Sequence, residues 1–154
     1  MTAMTSEHAR VVVQIAISDA EIAHCLAVRR AVYIDGMGIS EADEVDGFDP
    51  ESTHFLATMN DQPVGAARLR IVDGAAKVQR VAVLLEARGC GIGSKIVEAM
   101  IAHVRDTAIS DTIKLSAQTR AFTLYERLGF HPVGKIFDDV GLPHQDMVLS
   151  LAKA

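Results

Sequence analysis

Gln79-Arg80-Val81-Ala82-Val83-Leu84 followed by Arg88-Gly89-Cys90-Gly91-Ile92-Gly93-Ser94 is the stretch that decides the fold. Its first half is β-branched and apolar, as in a buried strand, and its second half is a turn rich in glycine. After Gly91, the residues Ile92, Ile96, Val97, Met100, Ile101 and Val104 recur at spacings of three and four, which marks an amphipathic helix. A strand that feeds a helix through glycines leaves backbone N–H groups exposed at the positive end of the helix dipole, where anions are attracted. Phosphate is the natural ligand of such a turn. Arg88 adds a fixed charge, and the glycines keep Cβ atoms out of the way. A Walker loop is excluded because Ser94 precedes Lys95, and Gly89, Gly91 and Gly93 do not have the spacing of a dinucleotide fingerprint. An ordinary glycine-rich connection with no ligand remains open on glycine content alone.

The strand before the turn has a fault in its alternation. Val78 and Arg80 share one face, while Val81 and Val83 fall on the other, so one regular strand over 76–84 cannot bury all three valines together. A bulge near Gln79-Arg80 repairs the pattern. Upstream, Asp73-Gly74 suits a tight hairpin turn leading back to a strand over 64–72, and Asn60-Asp61-Gln62-Pro63 joins that strand to another containing Phe55, Ala57 and Met59. At the start, Val11, Val13, Ile15 and Ile17 alternate, and Ser18-Asp19-Ala20-Glu21 forms a capping box for a helix carrying Ile22, Leu26, Arg29 and Tyr33. Gly36 and Gly38 end that helix, and the acidic run 41–49 reads as a loop of solvated carboxylates. Downstream come a short strand at Ile113, Leu115 and Ala117, a helix ending at Gly129, and two strands near 132–136 and 144–151. The order β-α-β-β-β-α-β-α-β-β defines an α/β domain, of the segregated α+β kind, with a mixed sheet flanked by helices. Residues 1–10 read as an extension and 11–154 as a single domain.

Composition narrows the function classes. The 154 residues are 49% hydrophobic and 23% charged, as in ordinary globular chains. A net charge of −5 without a basic tract argues against a nucleic-acid partner. Apolar runs such as 11–13 and 81–85 are far too short to cross a bilayer, so no membrane association and a cytoplasmic location are expected. Cys25 and Cys90 lack paired spacing, so both are expected as free thiols, Cys90 as a small filler of the turn. His8, His24, His103 and His131 show no ligand spacing, and no metal is assigned.

Read together, Arg80-Val81-Ala82-Val83, the turn, and Leu124-Tyr125-Glu126-Arg127-Leu128-Gly129-Phe130 resemble the signatures of the GCN5-related N-acetyltransferases. A closer similarity, from Arg29 to Met147, is to the ElaA-like branch, carried by Gly47-Phe48-Asp49, Thr53-His54, Ala67-Arg68-Leu69, Ser116-Ala117-Gln118 and Gly141-Leu142-Pro143-His144. The resemblance implies the acyl-CoA N-acyltransferase fold, with a bulged strand, and an enzyme that moves the acetyl group of acetyl-CoA directly to an amine. It implies that Arg88, Gly91 and Gly93, with Gly89, Cys90, Ile92 and Ser94 beside them, hold the pyrophosphate of CoA. Val81, Ala82 and Val83 would pair with the pantetheine arm, with Gln118 and Tyr125 also at the cofactor. The sequence departs from the branch at Gly36-Met37, where Glu-Gln is usual, and at Arg120, where histidine is common, both on the acceptor side.

The chemistry needs a group for the leaving thiolate and a base for the acceptor amine. Tyr125 is the candidate acid, because a phenol can protonate a thiolate whose parent pKa is roughly 8.5; a packing aromatic on a short helix is the alternative. A lysine-like amine, with a pKa of about 10.4, must lose a proton before attack. His54 and His144 are preferred as base, with Glu44 and Asp46 next, although such residues are often no more than satisfied or solvated polar groups. A backbone N–H within 81–83 can polarise the thioester carbonyl. The acceptor is expected to be a small-molecule or peptide amine, and either a monomer or a homodimer is compatible. A catalytically silent acyl-CoA sensor is the competing function.

Overall fold

A computed structural model describes residues 10–152; the expected extension lies outside them except for Arg10. Seven strands form one sheet in the order β1-β2-β3-β4-β5-β7-β6. These are β1 (Val11–Ala16), β2 (Thr53–Met59), β3 (Gln62–Val72), β4 (Ala75–Val83), β5 (Thr112–Gln118), β6 (His131–Asp139) and β7 (Leu142–Ser150). All neighbours are antiparallel except β4 and β5, so the sheet is mixed, as the element order predicts. Helices α1 (Asp19–Arg29), α2 (Glu41–Glu44), α3 (Ile92–Thr107) and α4 (Phe122–Arg127) complete the domain. None of the helices among the described residues is long and apolar enough to cross a membrane.

Local chemistry accounts for the junctions. Ser18 caps α1 through the Glu21 N–H at 3.1 Å, and Glu21 returns a carboxylate oxygen to the Ser18 N–H at 2.9 Å. Asn60 and Asp61, and likewise Asp73 and Gly74, have positive φ, the twist that two-residue hairpins demand. Helix α1 runs on into a wider π-type turn over Arg30–Gly36, so Tyr33 continues the helix but at an altered angle.

The two faces of the sheet bury different things. Phe55, Ala57, Met59, Leu69 and Val78 meet the apolar stripe of α3, while Leu56, Ala66 and Ala82 meet Val28 and Val32 of the first helix and its extension. Helix α3 lies so close to β3 that a Cβ on Gly65 would come 2.8 Å from Ile96 Cδ1. The parity fault is resolved as expected. Ala66 pairs with Ala82 and Arg68 with Gln79, so two residues, Arg80 and Val81, oppose Ala67 alone, and Arg80 takes φ 57°.

The acidic run differs from its reading as a solvated loop. It contains α2 and a short 3₁₀ turn over Asp49–Glu51, and its carboxylates close a ring with three arginines. Going round it, Arg29 meets Glu44 (2.8 Å), Glu44 meets Arg80 (2.8 Å), Arg80 meets Asp46 (3.3 Å), Asp46 meets Arg68, Arg68 meets Asp49 (3.0 Å), and Asp49 returns to Arg29 (2.7 Å). The Arg29 and Arg68 side chains are fully buried. Arg80 Nε and Glu44 Oε2 sit close without hydrogen-bond alignment, so that link is electrostatic. Desolvating such charges is costly, and removing one partner strands another; Arg68→Met should therefore destabilise the fold by about 3–5 kcal/mol, read from denaturant unfolding.

Hydrogen bonds from Arg68 hold the Asp46 carboxyl well below the usual carboxylate range. Burial alone would raise Asp49, but hydrogen bonds from Arg29 and Arg68 outweigh it and lower the carboxyl. With folded pKa values depressed, the unfolded chain binds more protons in acid, so this stabilisation is complete above about pH 5 and is lost progressively as pH falls through the unfolded value and on to the folded ones. Asp46→Asn should flatten the acid limb of the stability–pH curve, and an unchanged slope below pH 4 would contradict the ring's role.

Candidate active site

The site begins where two strands part. β4 and β5 pair only at Ala76–Ile113 and Lys77–Lys114, although both continue beyond, and a cleft of about 480 Å³ opens between them. The bulge turns β4 aside. Val83 pairs with Gly65 and the Leu84 N–H donates to the Val64 carbonyl, so the strand's alternation aims the N–H groups of Val81 and Val83 away from β3, toward the side that β5 has left. The same backbone shows its carbonyls there: Val83 accepts from Arg88 Nε at 3.2 Å, and Val81 from the Tyr33 hydroxyl at 2.7 Å.

At the open end stands the N-terminus of α3. Its N-cap is Gly91 at φ 75°, no side chain caps it, and its first turn carries no acidic residue. A Cβ at Gly89 or Gly91 would meet nothing within 4 Å, so the turn leaves free space against its own N–H groups. These features fit a phosphate chain: unoccupied donors, a positive dipole end, Arg88 alongside, and glycines where approach is closest. Gly93 is different, since a Cβ there would touch Leu124 Cδ1 at 3.5 Å. Cys90 packs against the core at the turn, and Ile92 is buried, so from Ile92 only backbone can reach a ligand. Ala82 likewise points into the core beside α1.

Tyr125 and His144 both line the cleft. Tyr125 stands on α4, with its ring edge-on to Phe130 at 6.0 Å, and burial pushes its phenol up to about 12. His144, on β7, is buried and stacked on Phe137, and its Nδ1 lies 2.9 Å from the Leu142 carbonyl. If Nδ1 carries the proton that bond requires, Nε2 has the free lone pair. Gln118 also lines the cleft, as do Met37 and Arg120, which belong to the two places that depart from the ElaA-like pattern.

His54 does not line it. It is buried on β2 with Nε2 2.9 Å from the Asp49 carbonyl, bracing the acidic segment, so sharing the work of a base with His144 is not supported by its position. Glu44 borders the cleft but is engaged by Arg29 and Arg80, and Asp46 by Arg68 and Arg80. Tyr33 was absent from the candidates read in the sequence. Its partner is a backbone carbonyl, which leaves no residue pattern; only its place on the helix stripe of Ile22, Leu26 and Arg29 pointed inward.

Residues 40–151 match the family model described as an acetyltransferase (GNAT) domain, and the chain belongs to that family. It is an acyl-CoA-dependent N-acetyltransferase, with acetyl-CoA as co-substrate and an amine as acceptor. Among its relatives, the uncharacterized N-acetyltransferase YjcF of Bacillus subtilis is 33% identical over 135 residues, covering 87% of this chain and 96% of that one. Escherichia coli ElaA shares the fold with a TM-score of 0.80 at 24% identity, over 90% of this chain and 99% of that one. A Bacillus subtilis acetyltransferase solved in complex with CoA shares it with a TM-score of 0.71 at 14% identity, over 93% and 100%.

A carboxylate placed at the helix N-terminus should exclude phosphate. Gly91→Asp is expected to weaken CoA binding at least 100-fold by calorimetry, and Arg88→Ala by less; parental affinity in Gly91→Asp would remove the phosphate role from this turn.

Proposed function

We propose that the cleft between β4 and β5 holds acetyl-CoA with its diphosphate on the turn 88–94 and its pantetheine along 81–83, and that a small-molecule or peptide amine enters past Met37, Asp139 and His144. The observation that carries this reading is that one cleft joins the free backbone of β4 to both Tyr125 and His144.

Acetyl-CoA supplies an activated thioester carbonyl. The N–H of Val81 donates to its oxygen as that atom gains negative charge, a donor already aimed and therefore without reorganisation cost. His144 Nε2 takes the proton released when the amine nitrogen bonds to the carbonyl carbon. Tyr125 faces the sulfur that departs when the carbon–sulfur bond breaks. A phenol held at about 12 is protonated at every working pH. Because burial raises this phenol above the thiol's own range, Tyr125 stabilises the leaving sulfur by hydrogen bonding, and solvent completes its protonation. Holding both reactants in one cleft supplies much of the acceleration.

Tyr125→Phe keeps the ring and loses the donor. Its kcat and kcat/KM should fall together by on the order of 10²-fold, with CoA affinity nearly unchanged; parental turnover would reduce Tyr125 to packing. His144→Ala should lose on the order of 10²-fold or more near neutral pH and progressively less as alkali supplies free amine. A loss independent of pH would place the base elsewhere. Both are read by thiol release from acetyl-CoA across amines, polyamines, amino acids and peptides.

A further inference from the structure

The bulge in β4 is fastened from outside the sheet at both of its residues. Arg80, in the left-handed region at φ 57°, sends its guanidinium to Glu44 and Asp46 of the charge ring and to the carbonyls of Asp43 (3.1 Å) and Glu44 (3.2 Å). Val81, the other, offers its carbonyl to the Tyr33 hydroxyl at 2.7 Å. Neither residue has a partner of its own in the ladder with β3, because the two share Ala67, and β5 pairs no further than Lys77. A bulged segment with so little regular pairing draws on such outside contacts for its shape. Tyr33 reaches Val81 because the π-type turn following α1 directs it into the cleft, and wide turns of this kind recur at functional sites.

The geometry assigns Tyr33 as a positioning residue for acetyl transfer: by hydrogen-bonding the Val81 carbonyl, its hydroxyl fixes the bulge so that the Val81 N–H points at the thioester oxygen. This rests on the reading of the Val81 N–H as the carbonyl's donor. The carbonyl held by the hydroxyl and the N–H flank one Cα, that of Val81, so loss of the hydrogen bond frees the backbone that aims the N–H, whereas the turn at 88–94, seven residues on, does not depend on it. Tyr33 thus acts on reactivity and not on cofactor affinity.

Tyr33→Phe removes the one oxygen and keeps the ring. The direct readout is the infrared carbonyl band of bound acetyl-CoA labelled with ¹³C at the thioester carbon. In the parent the band should lie below its position in water; in Tyr33→Phe it should return most of the way. Turnover should fall about tenfold, with KM for the acceptor and Kd for CoA lacking the acetyl group within about twofold of the parent. Arg80→Lys keeps a charge beside Glu44 but loses the fork onto the two carbonyls, and it should move the band the same way by less, which preserves the test if the first variant does not fold. A folded Tyr33→Phe that keeps both the displaced band and parental turnover overturns the assignment. A parent band already at its position in water overturns the underlying reading of Val81 instead, and a tenfold loss confined to Kd for CoA would make Tyr33 a binding residue.

Discussion

Six charges arranged in alternation around a closed ring are the constraint on which this molecule is built. Arg29 comes from the first helix, Arg68 from the middle of the sheet, Arg80 from the bulge, and Glu44, Asp46 and Asp49 from one short segment. Each carboxylate bridges two guanidiniums and each guanidinium two carboxylates, so no charge is left to be solvated by a medium that cannot do so. The segment 41–49 is pinned by this ring, since its larger apolar side chains, Val45 and Phe48, are exposed and bury little. Because the segment also borders the cleft, the wall of the site is held by ion pairs while its floor is held by apolar packing of α3.

The cleft itself follows from a sheet that stops pairing. A regular β4 would run alongside β5 to its end and bury every backbone group. Here the pairing with β5 ends at Lys77, and the extra residue at Arg80–Val81 bends the rest of β4 away from a regular ladder. What results is a gap in the ladder, followed by the uncapped N-terminus of α3.

Much of this was legible in the chain because its signals are periodic. The misplaced parity of Val78, Val81 and Val83 located the bulge, since a period of two tolerates no slip, and Asp73-Gly74 and Ser18-Glu21 fixed a hairpin and a cap by local chemistry alone. The charge ring was not legible. Its bonds join residues 15 to 36 positions apart, and a run of carboxylates looks the same whether it faces water or buried arginines. The clue lay on the other side: Arg29 stood in the apolar stripe of a helix, and Arg68 and Arg80 inside strands, where a cation has to be matched. His54 shows how little a shared stretch fixes, for it falls in the family's pattern while its ring lies against the Asp49 carbonyl. Alternation told that His54 and Leu56 share a face but not which face would meet the cleft.

β6, the outermost strand beyond β7, is exposed along all nine residues and carries Val133, Ile136 and Phe137 toward water. A straight apolar edge of that length invites a second molecule to add a strand. Between Val133 and Phe137, however, its register slips by two residues, Gly134 turns to φ 74°, and the Gln145 amide takes up the Gly134 carbonyl at 2.8 Å. The ladder along this edge is thus broken into two short paired stretches, Val133 and earlier on one side and Phe137 and later on the other. The protein can therefore carry an apolar border at the end of its sheet with less of the straight edge on which a second copy could add a strand.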